Sequence, residues 1–270
     1  MTPGTLAILG SGRMGYAIAS ALIARKEFSA KKIIMADPMP GARRRATRLG
    51  CSALPDAFEA AAGSNNILLA VKPQRIEEVS KQIRRAVWGK RIISILAGTP
   101  RSRIMTLLPG ARIIRVMPNT PLLAASGATV IARDGVSKAD MQFTKRLFGS
   151  VGKVWVAPEK WMNAVTALSG SGPALFCAFL EACIAAGSEN GLPGRMAEEL
   201  AIQTFAGTAA LLKNTRPGVP PLTPRALREM VTSPGGTTEA ALGVFVRRRL
   251  PAVIRESIRA AIQRGMALSR

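Results

Sequence analysis

Leu6-Ala7-Ile8-Leu9, followed at once by Gly10-Ser11-Gly12-Arg13-Met14-Gly15, decides the fold. Four apolar residues make a short buried strand, and the glycine run turns it into a helical stretch over residues 14–26. A lone G-x-G-x-x-G is a weak signal. Between a strand and a helix, at the head of an alternating domain, it is a dinucleotide-binding signature. Gly10 permits the tight turn, Gly12 lets a pyrophosphate reach the backbone, and Gly15 lets helix pack on strand. The helix start adds unpaired N–H groups and partial positive charge, so Ser11, Arg13 and Met14 are expected at the same phosphates.

The alternation continues downstream. Residues 32–36, 66–71, 91–96 and 111–116 read as strands, with helices at 41–49, 74–87 and 101–107. Further strands at 128–132 and 153–156 close an α/β, parallel, doubly wound sheet. Ligands of such sheets bind at strand carboxyl ends. Asp37, with Pro38 beside it, ends the second strand, where a carboxylate hydrogen-bonds the adenosine ribose. A 2′-phosphate there meets like charge, but Arg43, Arg44 and Arg45 follow and can offset it, so NADH and NADPH both stay open. Ala70-Val71-Lys72-Pro73 and Ala97-Gly98-Thr99 are expected on the nicotinamide side, with Lys72 alternatively a solvated loop lysine. Met117-Pro118-Asn119-Thr120-Pro121 presents Asn119 for a ribose or amide contact, or is a plain rigid turn.

The texture changes near Pro158. Only helical periodicity follows, punctuated at Ser169-Gly170-Ser171-Gly172-Pro173, Gly191-Leu192-Pro193, Arg216-Pro217-Gly218 and Thr232-Ser233-Pro234-Gly235-Gly236-Thr237-Thr238. The expected division is a Rossmann dinucleotide-binding domain over 1–157 and an all-helical dimerisation and substrate-binding domain over 158–270. Pro173 suits the first turn of an apolar helix reaching Asn190. That helix is apolar nearly all round at 174–180, so a partner subunit is expected to cover it. The 232–238 run stands between helical stretches at 224–230 and 239–248. Its glycines and hydroxyls make an anion cradle suited to a small carboxylate, or a well-capped helix start.

Composition narrows the chemistry. The chain has 270 residues, 48% apolar and 4% aromatic, and no histidine. Ser-His-Asp and Cys-His catalysis are excluded, as is hydride transfer assisted by a histidine; thiolates and carboxylates are too sparse for a zinc site. Cys51, Cys177 and Cys183 lack C-x-x-C spacing and are expected to be reduced and mostly buried. No apolar run is expected to reach the about 20 residues of a bilayer span, and no export signal precedes the first strand. The expectation is a cytoplasmic protein with no membrane contact. The net charge of +22 attracts polyanions non-specifically. No zinc-finger, bZIP or RRM signature accompanies it, so a solvated basic surface is expected rather than a specific nucleic-acid site.

Taken in order, G-x-G-x-M-G, A-V-K-P, Ala97-Gly98-Thr99, M-P-N-T-P, A-V-T-x-L-S-G-S-G-P-A and S-P-G-G-T-T make a recognisable series. The chain resembles the pyrroline-5-carboxylate reductases over essentially its whole length. The resemblance implies reduction of a cyclic imine to proline, the last step of proline biosynthesis, with hydride from NADPH; Asp37 leaves NADH open. It implies a homodimer through the C-terminal helices, with dimers often joined in rings. It further implies that Ser233, Gly235, Gly236, Thr237 and Thr238 hold the substrate carboxylate. Thr238 is then the catalytic position at the ring nitrogen, and Glu159 lies near the substrate. A protonated imine is already electrophilic, so alignment rather than a strong acid is needed, in keeping with the missing histidine. Three residues depart from the family pattern: Leu175 replaces an aromatic, Met230 a polar cofactor contact, and Asp37 a small hydroxyl residue. Two alternatives follow, a reductase of another cyclic imino acid or a non-catalytic nucleotide-binding protein whose basic surface holds a polyanion.

Overall fold

The computed structural model describes residues 4–213 and 221–268, so the expected break at Arg216-Pro217-Gly218 lies outside the described residues. The chain begins with β1 (Leu6–Leu9), α1 (Arg13–Ala24), β2 (Ile33–Ala36), α2 (Pro40–Arg48), β3 (Ser52–Leu54) and α3 (Ala57–Ala62). β4 (Asn66–Leu69), α4 (Ile76–Ile83), β5 (Arg91–Ser94), α5 (Arg101–Leu107), β6 (Arg112–Met117), β7 (Gly127–Ala132), α6 (Lys138–Gly149) and β8 (Gly152–Ala157) follow. The rest is helical: α7 (Met162–Val165), α8 (Gly172–Glu189), α9 (Gly194–Lys213), α10 (Pro224–Met230), α11 (Thr237–Arg247) and α12 (Leu250–Leu268).

The sheet order is β3-β2-β1-β4-β5-β6-β7-β8. Period-2 alternation along β1 sends Leu6 and Ile8 to one core and Ala7 and Leu9 to the other. α1, α2 and α6 cover the first face; α3, α4 and α5 cover the second. The alternation predicts a parallel sheet, but β7 runs antiparallel to β6, and β8 runs parallel to β7. Residues 118–126 are too short a link for a right-handed crossover, which needs a dozen residues or more. The chain therefore turns back on itself, and α6 then supplies a true crossover to β8.

Two further expectations are corrected. Among the described residues one helical run, Glu159–Glu189, is long and apolar enough by length and composition to cross a membrane. The punctuation at 169–173 does not end it: the chain passes through a π turn, Thr166–Gly170, and a single bend at Ser171. The cysteines are free, but only Cys51 is buried; Cys177 and Cys183 are exposed on α8. Burial pushes the Cys51 thiol up to about 11.

By contacts the chain forms two compact units, Met1–Pro173 with Ile258–Arg270, and Ala174–Ser257. The expected division after 157 follows the end of the strands; the contact division comes later because α7 and the π turn pack on the first unit, where Met162 joins Met117 and Ala132. In the second unit α8 and α9 form a hairpin in which Phe176 meets Phe205, ring centroids 5.7 Å apart. Phe179, Cys183, Leu200 and Thr204 line an open groove of about 450 Å³ on it.

At the amino ends of the strands one ion cluster fastens α6 to the sheet. Asp140 accepts from Arg91 Nε at 2.7 Å and lies 3.1 Å from Arg112 Nη1. Arg91 also donates through Nη1 to the side-chain Oδ1 of Asn66 and stacks 4.0 Å over Phe143. Asp140 is almost wholly buried, so removing it strands a largely buried cation. Asp140→Ala is expected to cost about 2–4 kcal/mol in denaturant unfolding while leaving nucleotide affinity unchanged. A loss below about 1 kcal/mol would mean that solvent already screens the cluster.

Candidate active site

The glycine turn is built as its sequence requires. Gly10 has φ +98° and donates its N–H to the Ala36 carbonyl at 2.8 Å. A β-carbon there would stand 2.7 Å from the Ala70 carbonyl oxygen. At Gly15 it would stand 2.0 Å from the Gly10 oxygen and 3.2 Å from Ile8, so helix, turn and strand close on one another. At Gly12 it would meet nothing within 4 Å. Gly12 is the N-cap of α1 and no side chain caps that helix. An open backbone face at an uncapped helix start fits a pyrophosphate. Arg13 is exposed at the first helical position, whereas Met14 packs into the first core. The Ser11 hydroxyl is buried without a partner.

Beside this turn lies a cleft of about 470 Å³ at the carboxyl ends of β1, β2 and β4. It gathers Gly10, Gly12, Asp37, Pro38, Ala70, Val71 and Lys72 from the sequence-expected set. Pro73 opens the short turn that follows and leads into α4. Sequence reasoning missed Met39, Pro55, Arg75, Glu78, Val79 and Gln82, which complete the wall together with Leu9, Ala36 and Ala57. Arg75, Glu78, Val79 and Gln82 repeat at helical spacing directly after Lys72-Pro73, a signal that was available.

Ala97, Gly98, Asn119 and Glu159 are among the expected residues that lie outside that cleft. Ala97 packs with Met117 and Met162. Gly98, at φ +68°, takes the end of α12, since a β-carbon would lie 2.6 Å from the Gly265 oxygen. Asn119 is engaged at both ends: its Oδ1 accepts from the Ala128 N–H at 2.8 Å, and its Nδ2 donates to the Ser169 carbonyl and hydroxyl at 3.3 Å. It clamps the π turn to the start of β7. Glu159 accepts from the Arg101 backbone N–H at 2.6 Å and from Arg115 Nη1 at 3.2 Å. Arg115 is buried with Nε and Nη2 unpartnered. Desolvation lowers its pKa, and Glu159 opposes that shift. An arginine inside Ile113-Ile114-Arg115-Val116-Met117 was the sequence signal for this buried pair, and it was missed.

In the second unit the 233–238 loop leads into α11. Gly235 has φ +68° and its N–H donates to Glu239 at 2.7 Å; the Gly236 N–H donates to the Ser233 carbonyl at 3.0 Å. A β-carbon on Gly236 would come within 2.6 Å of the Ser233 hydroxyl. Gly236 is the N-cap, with no side-chain cap. Thr237 is exposed and Thr238 half-buried. Glu239 occupies the Gly235 N–H in the way that a capping box does, as one anion standing where another can bind.

Residues 159–268 match the family model described as pyrroline-5-carboxylate reductase dimerisation. Residues 5–98 match the model described as NADP oxidoreductase, coenzyme F420-dependent. The chain is 40% identical over 270 residues to the pyrroline-5-carboxylate reductase of Synechocystis sp., covering 98% of each. It is 36% identical over 267 residues to that of Haemophilus influenzae, covering 97% of each. Its fold superimposes with a TM-score of 0.89 on the crystal structure of Plasmodium falciparum pyrroline carboxylate reductase with NADP bound, at 26% identity and full coverage of both chains.

The glycine geometry separates two substitutions. Gly12→Ala is expected to change stability by under about 1 kcal/mol, since no protein atom meets the new methyl. It should nevertheless weaken dinucleotide binding about tenfold or more, by blocking the backbone approach. Gly15→Ala is expected to cost about 3 kcal/mol or more in unfolding experiments. Full binding by the Gly12 variant would remove the phosphate from this turn.

Proposed function

The chain belongs to the pyrroline-5-carboxylate reductase family, and from that premise we propose that it reduces L-1-pyrroline-5-carboxylate to L-proline, the final step of proline biosynthesis. The observation that carries the reading is the Ser-Pro-Gly-Gly-Thr-Thr loop opening an uncapped α11 in a chain that also holds an open dinucleotide turn. The cofactor is a reduced nicotinamide dinucleotide, NADP(H) or NAD(H), which supplies the hydride to the imine carbon.

The residues divide the work. The open face of Gly12 and the start of α1, from Arg13, receive the pyrophosphate. Asp37 and Pro38 border the adenosine ribose, and Ala70, Val71 and Lys72 line the cleft wall. Ser233 and Thr237 offer hydroxyls, and Gly235 its backbone N–H, to the substrate carboxylate, while Gly236, its N–H held by the Ser233 carbonyl, shapes the turn around it. The dipole of α11 favours an anion there by about 0.3–1 kcal/mol when exposed, more when enclosed. Glu239 must yield the Gly235 N–H as the carboxylate arrives. Thr238 places its hydroxyl at the ring nitrogen and holds the proton that makes the imine electrophilic. Glu159 acts near the substrate by fixing Arg115 and the start of α5, and Asn119 by fixing the π turn.

The same reading makes the chain a homodimer through its C-terminal helices. Phe176, half-exposed on α8, and Val246, 74% exposed on α11, belong to apolar surface that a partner covers. A ring of such dimers, a cytoplasmic location and no dedicated nucleic-acid or membrane role complete the proposal. Loss of reduced-nicotinamide absorbance on adding pyrroline-5-carboxylate tests the reaction, with other cyclic imino acids as comparison. Oxidation with another ring and none with this one would move the substrate assignment. Thr238→Ala is expected to lower turnover about 100-fold with dinucleotide affinity unchanged. Undiminished turnover would take Thr238 out of the chemistry.

A further inference from the structure

The geometry around Asp37 carries an inference about cofactor choice, and it rests on the dinucleotide reading above. Asp37 follows directly on β2, where this sheet architecture places the acceptor for the adenosine ribose. Its carboxylate is not free to swing aside. One oxygen accepts the Ser11 N–H at 2.8 Å, and the other accepts the Met39 N–H at 2.9 Å. The first bond ties it to the glycine turn, and the second to the lead-in of α2. Each oxygen keeps a further lone pair, which suits the two hydroxyls of a ribose. A 2′-phosphate brings only acceptors and negative charge, and it meets a carboxylate held in place.

Two cations near that carboxylate already hold protein contacts. Arg43 Nη1 donates to the backbone carbonyls of Asp37 at 2.9 Å and Pro38 at 2.7 Å, which ties this side chain to the loop itself. Arg75 is paired with Glu78 at 2.5 Å. Arg43 also lines a shallow groove with Pro40, Arg44, Thr47, Arg48 and Ala53, none of which lines the cleft. Lys72 lies after β4, with β1 standing between it and Asp37 in the sheet.

We propose that Asp37 makes this chain prefer NADH over NADPH, and that Arg43 is a backbone clamp rather than a phosphate ligand. Binding to the full chain, without imine, tests this by calorimetry with NADH, NADPH, adenosine 5′-phosphate and adenosine 2′,5′-bisphosphate. NADH and adenosine 5′-phosphate are each expected to bind about tenfold or more tightly than their 2′-phosphorylated counterparts. Asp37→Ser should shift that ratio toward NADPH about tenfold or more. Asp37→Asn, which keeps one acceptor oxygen for the loop, should shift it in the same direction. The ratio cancels any general loosening of the turn. Arg43→Ala is expected to change both affinities in equal proportion. Tighter NADPH binding by the unaltered chain, or selective loss of NADPH in Arg43→Ala, would overturn the proposal while leaving the dinucleotide reading intact. Binding of neither dinucleotide would bring down both.

Discussion

The first unit depends on how closely β1, its turn and α1 press together. A β-carbon at position 15 would stand 2.0 Å from the Gly10 oxygen, so a hydrogen is the only side chain that fits. That contact aims the uncapped start of α1 at the point where the sheet order reverses, between β1 and β4. A ligand crevice opens there in every doubly wound sheet. The Ser11–Asp37 hydrogen bond then draws the end of β2 to the same turn. Cleft and tether thus follow from one close packing, and the wall residues of α4 are placed by the next crossover.

What was legible in the sequence was what short-range rules dictate. β1, α5 and α10 fall where alternation and helical spacing put them. β3 was not legible because it is three residues long and not buried. α3 was hidden because its helix signal is one Asp56 cap before a run of alanines. Strand direction does not show in periodicity at all; only the short link at 118–126 could have revealed the antiparallel β7. In the candidate site, Gly10, Gly12 and Asp37 were readable as cleft-lining positions because the turn and the strand end place them there. Asn119 and Glu159 were visible as distinctive residues, but not their partners. Those contacts span 50 residues for Asn119–Ser169 and 44 for Glu159–Arg115, a distance over which local rules carry no information.

The excess of arginine has a structural use alongside its charge. With 38 basic residues and 16 acidic ones, most guanidinium groups have no carboxylate to pair with. Several turn to backbone carbonyls at loop and strand ends instead. Arg25 donates to Ser150, Arg43 to Asp37 and Pro38, and Arg101 to Ile113 and Gly135, while Arg112 bonds Gly89 in addition to its pairing with Asp140. Lys90 does the same with Ala61 and Ala62. Planar donors suit carbonyls that no secondary structure satisfies. These contacts hold loops without an ion pair, so they are less sensitive to salt than surface bridges.

Glu159 shows why the boundary of a functional module and the boundary of a packed unit need not coincide. The dimerisation match begins at Glu159, yet its carboxylate holds the start of α5 and the buried Arg115 of β6, both in the first unit. Arg115 needs that partner: desolvation acts on a guanidinium with two further nitrogens unpartnered. An arginine in this strand is therefore tolerable only while the incoming helical segment is seated on it. The first turn of the helical region thus serves as the counter-ion of the sheet, and the π turn at 166–170, clamped by Asn119, repeats the arrangement one step later. Two polar contacts thus seat residues 159–170 on the strands of their own unit.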